Sequence, residues 1–184
     1  MRSKLLLTAL ALCAAACAQE IELNPDPAQT TVRFTLPATL HTVHGAFKLK
    51  RGAIHFDPAT GKISGEVVVD AASGASADDS RDRRMHKDIL ESSRYPEIVF
   101  TPDRVDGPIA PQGASQIQVH GMFRIHGAEH PITLPVQVQM NHGHASVTTT
   151  FSIPYVKWGM KNPSSFVLRV SDTVEIQAAA VALP

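Results

Sequence analysis

The stretch that decides the fold is IQVHGMFRIHGAEHPITLPVQVQM, residues 117–140. Apolar residues occupy every second position on both sides of a short central segment, which is the pattern of two strands that each bury one face. Residues 126–130 lie between the two alternating runs and include Gly127. This arrangement predicts a β-hairpin, and therefore antiparallel pairing.

The same two-residue period recurs through most of the chain from residue 31 onward. It predicts further strands beginning near residues 31, 47, 54, 63, 98, 145, 166 and 174. Residues 57–61 and 141–144 have the composition of turns. We expect Gly52 to turn the chain between two strands and Pro102 to end another. Eight or nine hairpin-linked strands predict an all-β domain. A closed barrel would remove the exposed strand edges, and a β-sandwich is the competing architecture.

One charged segment interrupts the strand pattern: DDSRDRRMHKDILESSRYPEIVF, residues 78–100. We predict one short helix here, over about residues 79–93. Acidic and serine residues at its start can cap a helix, and Pro96 stops the helix from continuing. A narrow apolar stripe would face the barrel, formed by Met85, Ile89 and Leu90.

The first 18 residues, MRSKLLLTALALCAAACA, have the basic start, apolar centre and small-residue exit of a secretory signal peptide. We expect cleavage after Ala18, which leaves residues 19–184 as one domain. In the alternative, cleavage before Cys17 leads to a lipid-anchored protein. Cys13 and Cys17 are the two cysteines of the chain, so the core must be stable without a disulfide. We therefore expect a periplasmic or secreted protein, or a lipoprotein anchored through Cys17.

Charge and motifs argue against several functions. Removal of Arg2 and Lys4 from 17 basic residues leaves 15, against 17 acidic ones, and this balance does not suggest a nucleic-acid partner. No hydrolase or phosphate-loop motif is present, so we predict no enzyme. The nine histidines lack the spacing of a zinc site, and we expect His126 and His130 beside the hairpin turn to be solvent-exposed.

An eight-stranded barrel is either filled by its own side chains or holds one slender ligand. The inward positions that we predict include several small residues, Gly65, Gly121, Ala145, Thr149, Ala178, Ala180 and Ala182. Small inward residues leave room for a ligand, but they also suit the taper of a filled barrel. The residues alone leave both alternatives open.

Several short motifs occur in an order that is typical of one family: HGAF at 44–47, GAIHFD at 52–57, YPEIVF at 95–100, VHGMF at 119–123, PITL at 131–134, WGM at 158–160 and VEI at 174–176. From about Glu22 to Leu183 the chain resembles the YceI-like family, secreted bacterial lipocalin-like barrels described as binding polyisoprenoid lipids or isoprenoid quinones. It departs from the family at Ile89-Leu90, where two phenylalanines are common, and at Tyr155 and Lys157, where a basic and an acidic residue are more usual.

The resemblance implies a single antiparallel eight-stranded lipocalin-like barrel that holds a long isoprenoid lipid or quinone in an apolar lumen, with no other cofactor. The short helix would shield the lumen without sealing it permanently. We expect the ligand contacts to come from Phe34, Phe47, Phe56, Met85, Ile89, Leu90, Phe100, Phe123, Ile125, Phe151 and Trp158.

Other expectations concern charged residues and partners. Lys157 and Lys161 would meet a diphosphate head group if the lipid has one. Arg81 and Asp82 would form a structural ion pair. We also expect lipid exchange at a membrane surface and leave a homodimer open. The alternative function is a structural or stress-related envelope interaction module with a filled barrel and no ligand.

Overall fold

The computed structural model describes residues 21–58, 60–141 and 144–183, except for the side chains of Ile21, Ala182 and Leu183. The predicted signal peptide and Cys17 lie outside these residues, as does the centre of the predicted turn at 141–144. The described residues form nine strands: β1 (Ile21–Pro25), β2 (Thr31–Pro37), β3 (Thr42–Asp57), β4 (Lys62–Ala75), β5 (Glu97–Asp106), β6 (Gly113–Ile125), β7 (Ala128–Asn141), β8 (His144–Ile153) and β9 (Val174–Leu183).

The strands close into an eight-stranded antiparallel barrel. Strands β2 to β9 pair in chain order, and β9 pairs back onto β2. The short β1 pairs with the end of β3 and with the end of β9, so it continues the position of β2 along the barrel. The predicted all-β barrel is confirmed, and closure leaves no long free edge along the paired strands.

The hairpin of residues 117–140 is confirmed as β6 and β7, which pair in register from Gly113 opposite Met140 to Ile125 opposite Ala128. His126 and Gly127 form the turn, and both have left-handed backbone angles, with φ of 51° and 77°. Two such residues are typical of a type I′ hairpin turn, whose twist matches that of the strands. The turn is shorter than predicted because β7 begins at Ala128.

Two predicted strand breaks are wrong. Gly52 lies inside β3, which runs on to Asp57 with register shifts between Ala46 and Lys48 and between Leu49 and Arg51. Pro102 lies inside β5, next to a register shift between Pro102 and Arg104. Such shifts are β-bulges, which bend a strand and accommodate residues that a regular ladder disfavours.

The predicted strand near residues 166–170 is also wrong. Within it, Val170 makes one isolated bridge to the turn after β2. Phe166 is fully exposed, and it lies on a tight turn in which the amide of Ser165 donates to the carbonyl of Leu168 at 2.8 Å. Alternation between apolar and polar residues therefore arose here without a strand.

The charged segment forms one helical unit of 11 residues, an α-helix α1 (Asp79–Arg84) followed by a π-helical turn (Met85–Ile89), and together these are the capping helix. Asp78 caps its start by accepting a hydrogen bond from the amide of Arg81 at 2.8 Å. The helix ends four residues before the predicted boundary, because Glu91 adopts a left-handed backbone conformation. No helix among the described residues is long and apolar enough to cross a membrane.

Ser76, which directly follows β4 and is buried, ties the capping helix to the barrel. Its hydroxyl donates to the Asp82 carboxylate and accepts from Nε of Arg81 at 2.7 Å. Its carbonyl accepts from Nη2 of Arg81 at 2.8 Å, and its amide donates to Asp82 at 3.0 Å. Arg81 and Asp82, which we expected to form an ion pair, both form hydrogen bonds with Ser76, and Ser76 therefore links their side chains.

Candidate functional site

A cavity of about 360 Å³ lies inside the barrel. It reaches from the capping helix at one end to Ile63, Ile109 and Met140 at the other, so it follows the barrel axis. This volume is within the range of small-molecule sites, roughly 300–1,000 Å³. The barrel is therefore not filled by its own side chains. The alternative function, an interaction module without a ligand, assumed a filled barrel.

The cavity wall is almost entirely apolar. No charged side chain and no histidine lines it among the described residues, and its polar side chains are three hydroxyl groups. Each hydroxyl donates to a backbone carbonyl: Thr30 to Asp26 at 2.7 Å, Thr149 to Pro135 at 2.8 Å and Tyr155 to Ser171 at 2.8 Å. The wall thus offers a ligand hydrophobic contact, and all three of its hydroxyl hydrogens are already donated to backbone carbonyls.

Small side chains on β8 and β9 create part of this space. Ala145, Thr149, Ala178 and Ala180 all line the cavity, as predicted, and Thr149 pairs directly with Ala178. The adjoining wall, on β6 and β7, is a tightly buried aliphatic cluster.

Gly65 and Gly121 are corrections to the predicted set of small residues, because neither lines the cavity. Gly65 lies beside an irregularity in the pairing of β4 with β5. Its φ of 108° is a backbone angle that residues with a side chain rarely adopt. Gly121 lies against Phe100 and the carbonyl of Thr101, so a Cβ there would collide with β5. The side chain of Ala182 is outside the described residues.

Of the eleven predicted contact residues, ten line the cavity: Phe34, Phe47, Phe56, Met85, Ile89, Leu90, Phe100, Phe123, Ile125 and Phe151. Their contact with a ligand remains a prediction. The prediction missed aliphatic wall residues on other strands, such as Val67 and Val69 on β4 and Ile176 on β9. These residues occupy alternating apolar positions of their strands, and that alternation could have identified them as inward-facing.

Trp158 is not among the cavity-lining residues. Its ring stacks on His130, with parallel planes and 4.2 Å between centroids, and lies 5.9 Å from Phe123. His130 is directly opposite Phe123 in the β6–β7 ladder, which directs both side chains to the inner face. Trp158 therefore packs over the capping-helix end of the barrel.

The expected exposure of the two hairpin histidines is wrong. Nε2 of His130 is buried and has no hydrogen-bond partner among the described residues, and burial lowers the pKa of His130. His126 is half-buried, with Nε2 at 3.3 Å from Glu91 and its ring against Tyr95. Packing at the end of the barrel covers both rings.

The capping helix covers one end of the cavity with Met85 and Ile89, together with Leu90, which directly follows the helix. In addition to the Ser76 bonds, Nε2 of His86 lies 2.8 Å from the carbonyl of Gly74. Polar bonds therefore hold the edges of the helix, while Met85 and Ile89 pack against the core cluster and contact the cavity.

Tyr155 and Met160 are buried beside the capping helix and line the same end of the cavity. Burial, together with the charge of Asp172, raises the pKa of Tyr155 to about 12. The hydroxyl therefore stays protonated and keeps donating to the carbonyl of Ser171.

One polar chain outside the cavity has the residue types of a catalytic triad. Oδ2 of Asp106 lies 2.8 Å from Nε2 of His120, and Nδ1 of His120 lies 2.9 Å from Oγ1 of Thr133. Three separate strands contribute these residues, so sequence spacing could not reveal them. The Asp106 side chain is 54% exposed and also pairs with Arg104. This exposure suits a cross-strand surface cluster better than a preorganised, desolvated reaction site.

Metal binding also lacks an assembled set of ligands. Within the part of the chain that the structure describes, no three His, Cys, Asp or Glu side chains come together as a metal site.

Comparisons with known proteins agree with this architecture. One similar solved structure is Burkholderia cenocepacia BcnA, with a TM-score of 0.70 and 23% identity, covering 86% of this chain and 99% of that one. A Saccharophagus degradans polyisoprenoid binding domain implicated in plant cell wall breakdown has a TM-score of 0.66 and 16% identity, covering 88% of this chain and 97% of that one. The Campylobacter jejuni YceI protein has a TM-score of 0.52 and 14% identity, covering 97% of this chain and 92% of that one. At these identities the likeness shows the fold. No curated protein matches the chain in sequence. A family model described as the YceI-like domain matches residues 23–182. Because that match spans nearly the whole barrel, the chain belongs to the YceI-like family.

Proposed function

We propose that this protein binds one long isoprenoid lipid, a polyisoprenoid or an isoprenoid quinone, in the barrel lumen and sequesters or carries it without chemical change. The observation that carries the proposal is the cavity wall, which has no charged side chain and in which all three hydroxyls already donate to carbonyls. The similar Saccharophagus degradans structure, described as a polyisoprenoid binding domain, supports the same class of ligand.

Hydrophobic transfer alone supplies enough free energy for such binding. Each CH₂ group removed from water contributes about 0.8 kcal/mol, so one five-carbon isoprene unit contributes roughly 3–4 kcal/mol. Loss of translational and rotational freedom costs roughly 4–15 kcal/mol. A few isoprene units therefore offset that cost without any polar contact. A polar head group finds no free partner on the wall, so it stays at an end of the cavity.

Tail length and not head-group chemistry should then determine affinity. Purified protein freed of lipid and titrated with isoprenoid quinones should bind longer tails more tightly, until the cavity is full, and should barely distinguish head groups on the same tail. Affinity that follows the head group and ignores the tail would contradict the proposed binding mode.

A matched pair of alanine substitutions tests the location of the lipid. Ala178 lines the cavity, and its neighbour Ala179 lies on the opposite face of β9. Ala178→Phe places a phenyl ring in the lumen and should weaken quinone binding at least about tenfold, since displacing two CH₂ groups costs roughly 1.6 kcal/mol. Ala179→Phe makes the same chemical change outside and should bind like the parent protein. Equal effects of both substitutions would place the lipid elsewhere.

Export is the second part of the proposal. We place the mature protein in the periplasm or outside the cell, with cleavage after Ala18, or on a membrane through lipidated Cys17. The mass of the mature N-terminus separates these forms, because a chain beginning at Gln19 and a chain beginning at a lipidated Cys17 differ by two residues and the attached lipid. A chain that keeps residues 1–18 would contradict export through this segment.

A further inference from the structure

Three large hydrophobic side chains are strongly exposed among the described residues, and all three lie at one place. Leu40 is 74% exposed, Phe166 101% and Val167 76%. Single exposed apolar residues are common on protein surfaces, but a cluster of them marks a surface that contacts something else. This cluster therefore needs a partner.

The three residues occupy the central positions of two hydrogen-bonded turns, which we name the docking turns. In the first, residues 38–41, the amide of Ala38 donates to the carbonyl of His41 at 3.1 Å. In the second, residues 165–168, the amide of Ser165 donates to the carbonyl of Leu168 at 2.8 Å. Closed turns hold their central side chains outward, away from the barrel.

Hydrogen bonds also join the first docking turn, and the residue before it, to the chain directly after the second docking turn. The amide and hydroxyl of Thr39 both donate to the carbonyl of Arg169, at 2.9 and 3.2 Å. The amide of Ser171 donates to the carbonyl of Pro37 at 2.9 Å. Leu40 and Phe166 therefore belong to one hydrogen-bonded projection, formed by the β2–β3 and β8–β9 connections at the capping-helix end of the barrel.

The segment that carries the second docking turn has only positive charge. Residues 155–171 contain Lys157, Lys161 and Arg169 and no Asp or Glu, although the chain as a whole has equal numbers of acidic and basic residues. All three cations are exposed, and none pairs with a carboxylate among the described residues. Asp172, at the base of the segment, accepts a hydrogen bond from Asn162. The capping helix at the same end carries both signs.

We propose that the docking turns insert into the surface of an anionic lipid bilayer, with Leu40, Phe166 and Val167 among the acyl chains and the three cations at the phosphate groups. Apolar side chains flanked by Lys and Arg are the combination that binds anionic membrane interfaces. The inference rests on the proposed function in one respect: docking would bring the capping-helix end of the cavity to the membrane from which a lipid enters.

Vesicle sedimentation tests the docking surface without any ligand in the lumen. The full mature chain is mixed with vesicles of phosphatidylglycerol and phosphatidylethanolamine, or with vesicles of phosphatidylcholine alone. We expect binding to the anionic vesicles, weaker binding to the neutral ones, and a decline with added salt. The triple variant L40S/F166S/V167S should lose at least about tenfold in partitioning. Lys161→Gln should lose up to about fivefold.

Lys62→Gln is the matched charge control, since Lys62 is an exposed lysine at the opposite end of the barrel. It should bind vesicles like the parent protein. The triple variant should still take up isoprenoid quinone from detergent, which separates failure of docking from failure of lumen binding. Absence of vesicle binding by the parent at low salt would overturn the proposal. So would a concentration-dependent dimer that the triple variant abolishes, because the turns would then form a protein interface.

Discussion

The imidazole of His130 lies flat against the indole of Trp158, with the two rings parallel and their centroids 4.2 Å apart. The contact joins β7 to the irregular segment between β8 and β9, over the end of the barrel that the capping helix also covers. Nε2 of His130 is buried and has no hydrogen-bond partner among the described residues, so its protonation would place a charged N–H there without an acceptor.

Protonation of His130 should be visible in Trp158 fluorescence. Trp158 is the only tryptophan of the chain, and a protonated imidazole in contact with indole quenches its emission. Burial lowers the pKa of His130 from its ordinary value of 6.5, so the quench should have its midpoint below pH 6.5. His130→Gln should abolish the transition. His126→Gln should retain it, because the His126 ring lies against Tyr95.

The same pKa difference predicts the pH dependence of stability. Below pH 6.5 the unfolded chain binds a proton at residue 130 before the folded chain does, so the free energy of unfolding should decrease as pH falls from 6.5 through the folded pKa. His130→Gln should decrease less over that interval in urea titrations. A fluorescence midpoint at or above pH 6.5 would contradict the burial of the His130 Nε2 atom.

The Ser76 hydroxyl should anchor the capping helix. Ser76→Ala removes one group that bonds both Asp82 and Arg81, while the backbone bonds of residue 76 remain. We expect a loss of about 1–3 kcal/mol in the free energy of unfolding and faster amide exchange in the capping helix. Ser80→Ala, at an exposed position of that helix, is the control. Unchanged exchange in Ser76→Ala would show that apolar packing alone holds the helix.

Glu97 should make the protein sensitive to acid. Hydrogen bonds from Arg51 at 2.7 Å and Lys50 at 2.9 Å lower the pKa of Glu97 from 4.5 to about 2. A depressed folded pKa stabilises the protein above pH 4.5, and this stabilisation disappears as pH falls toward 2. The urea midpoint of the parent should therefore fall more steeply across this interval than that of Glu97→Gln.

Salt provides the check on that interpretation, because the ion pairs of Glu97 are exposed to solvent and should be screened. At 1 M salt, where the Debye length is roughly 3 Å, the difference between the parent and Glu97→Gln should shrink. Glu129→Gln, which removes an exposed carboxylate on β7, should follow the parent curve. Identical curves for the parent and Glu97→Gln would contradict the lowered pKa.

Gly121 should tolerate no side chain. A Cβ at this position would lie 2.9 Å from the Phe100 ring and still closer to the Thr101 carbonyl, and the latter is backbone that cannot rotate away. Gly121→Ala should therefore lose about 1–3 kcal/mol in the free energy of unfolding. In the control Gly52→Ala, the nearest atoms are those of the Pro25 ring, at 3.3 Å, and the loss should be smaller. Equal losses would show that Gly121 is not constrained by β5.

Much of the barrel could be predicted from periodicity, because a strand with one buried face must alternate. That rule identified the hairpin at residues 117–140 and the inward alanines of β9. It failed at residues 166–170, where alternation belongs to an exposed turn. Gly52 and Pro102 were predicted to break strands, yet both lie in continuous strands beside bulges. Register shifts depend on the neighbouring strand, which a single stretch of sequence does not show.

The parts of the site that depend on residue type and strand alternation could be predicted from the sequence. The parts that depend on contacts between residues far apart in the sequence could not. Phenylalanines on alternating strand positions do line the cavity, and the apolar stripe of the capping helix faces it. The burial of His130 arises from Trp158, 28 positions away along the sequence. The three residues Asp106, His120 and Thr133 likewise come together only through strand pairing. Such long-range contacts leave no local pattern.

The most direct measurement is the lipid content of the protein recovered from its native host without detergent. An organic extract of the pure protein, analysed by mass spectrometry, should contain a stoichiometric isoprenoid lipid, and Ala178→Phe prepared in parallel should contain much less than Ala179→Phe. Protein that is empty at stoichiometric sensitivity and takes up no added quinone would contradict the central claim that the lumen holds a lipid.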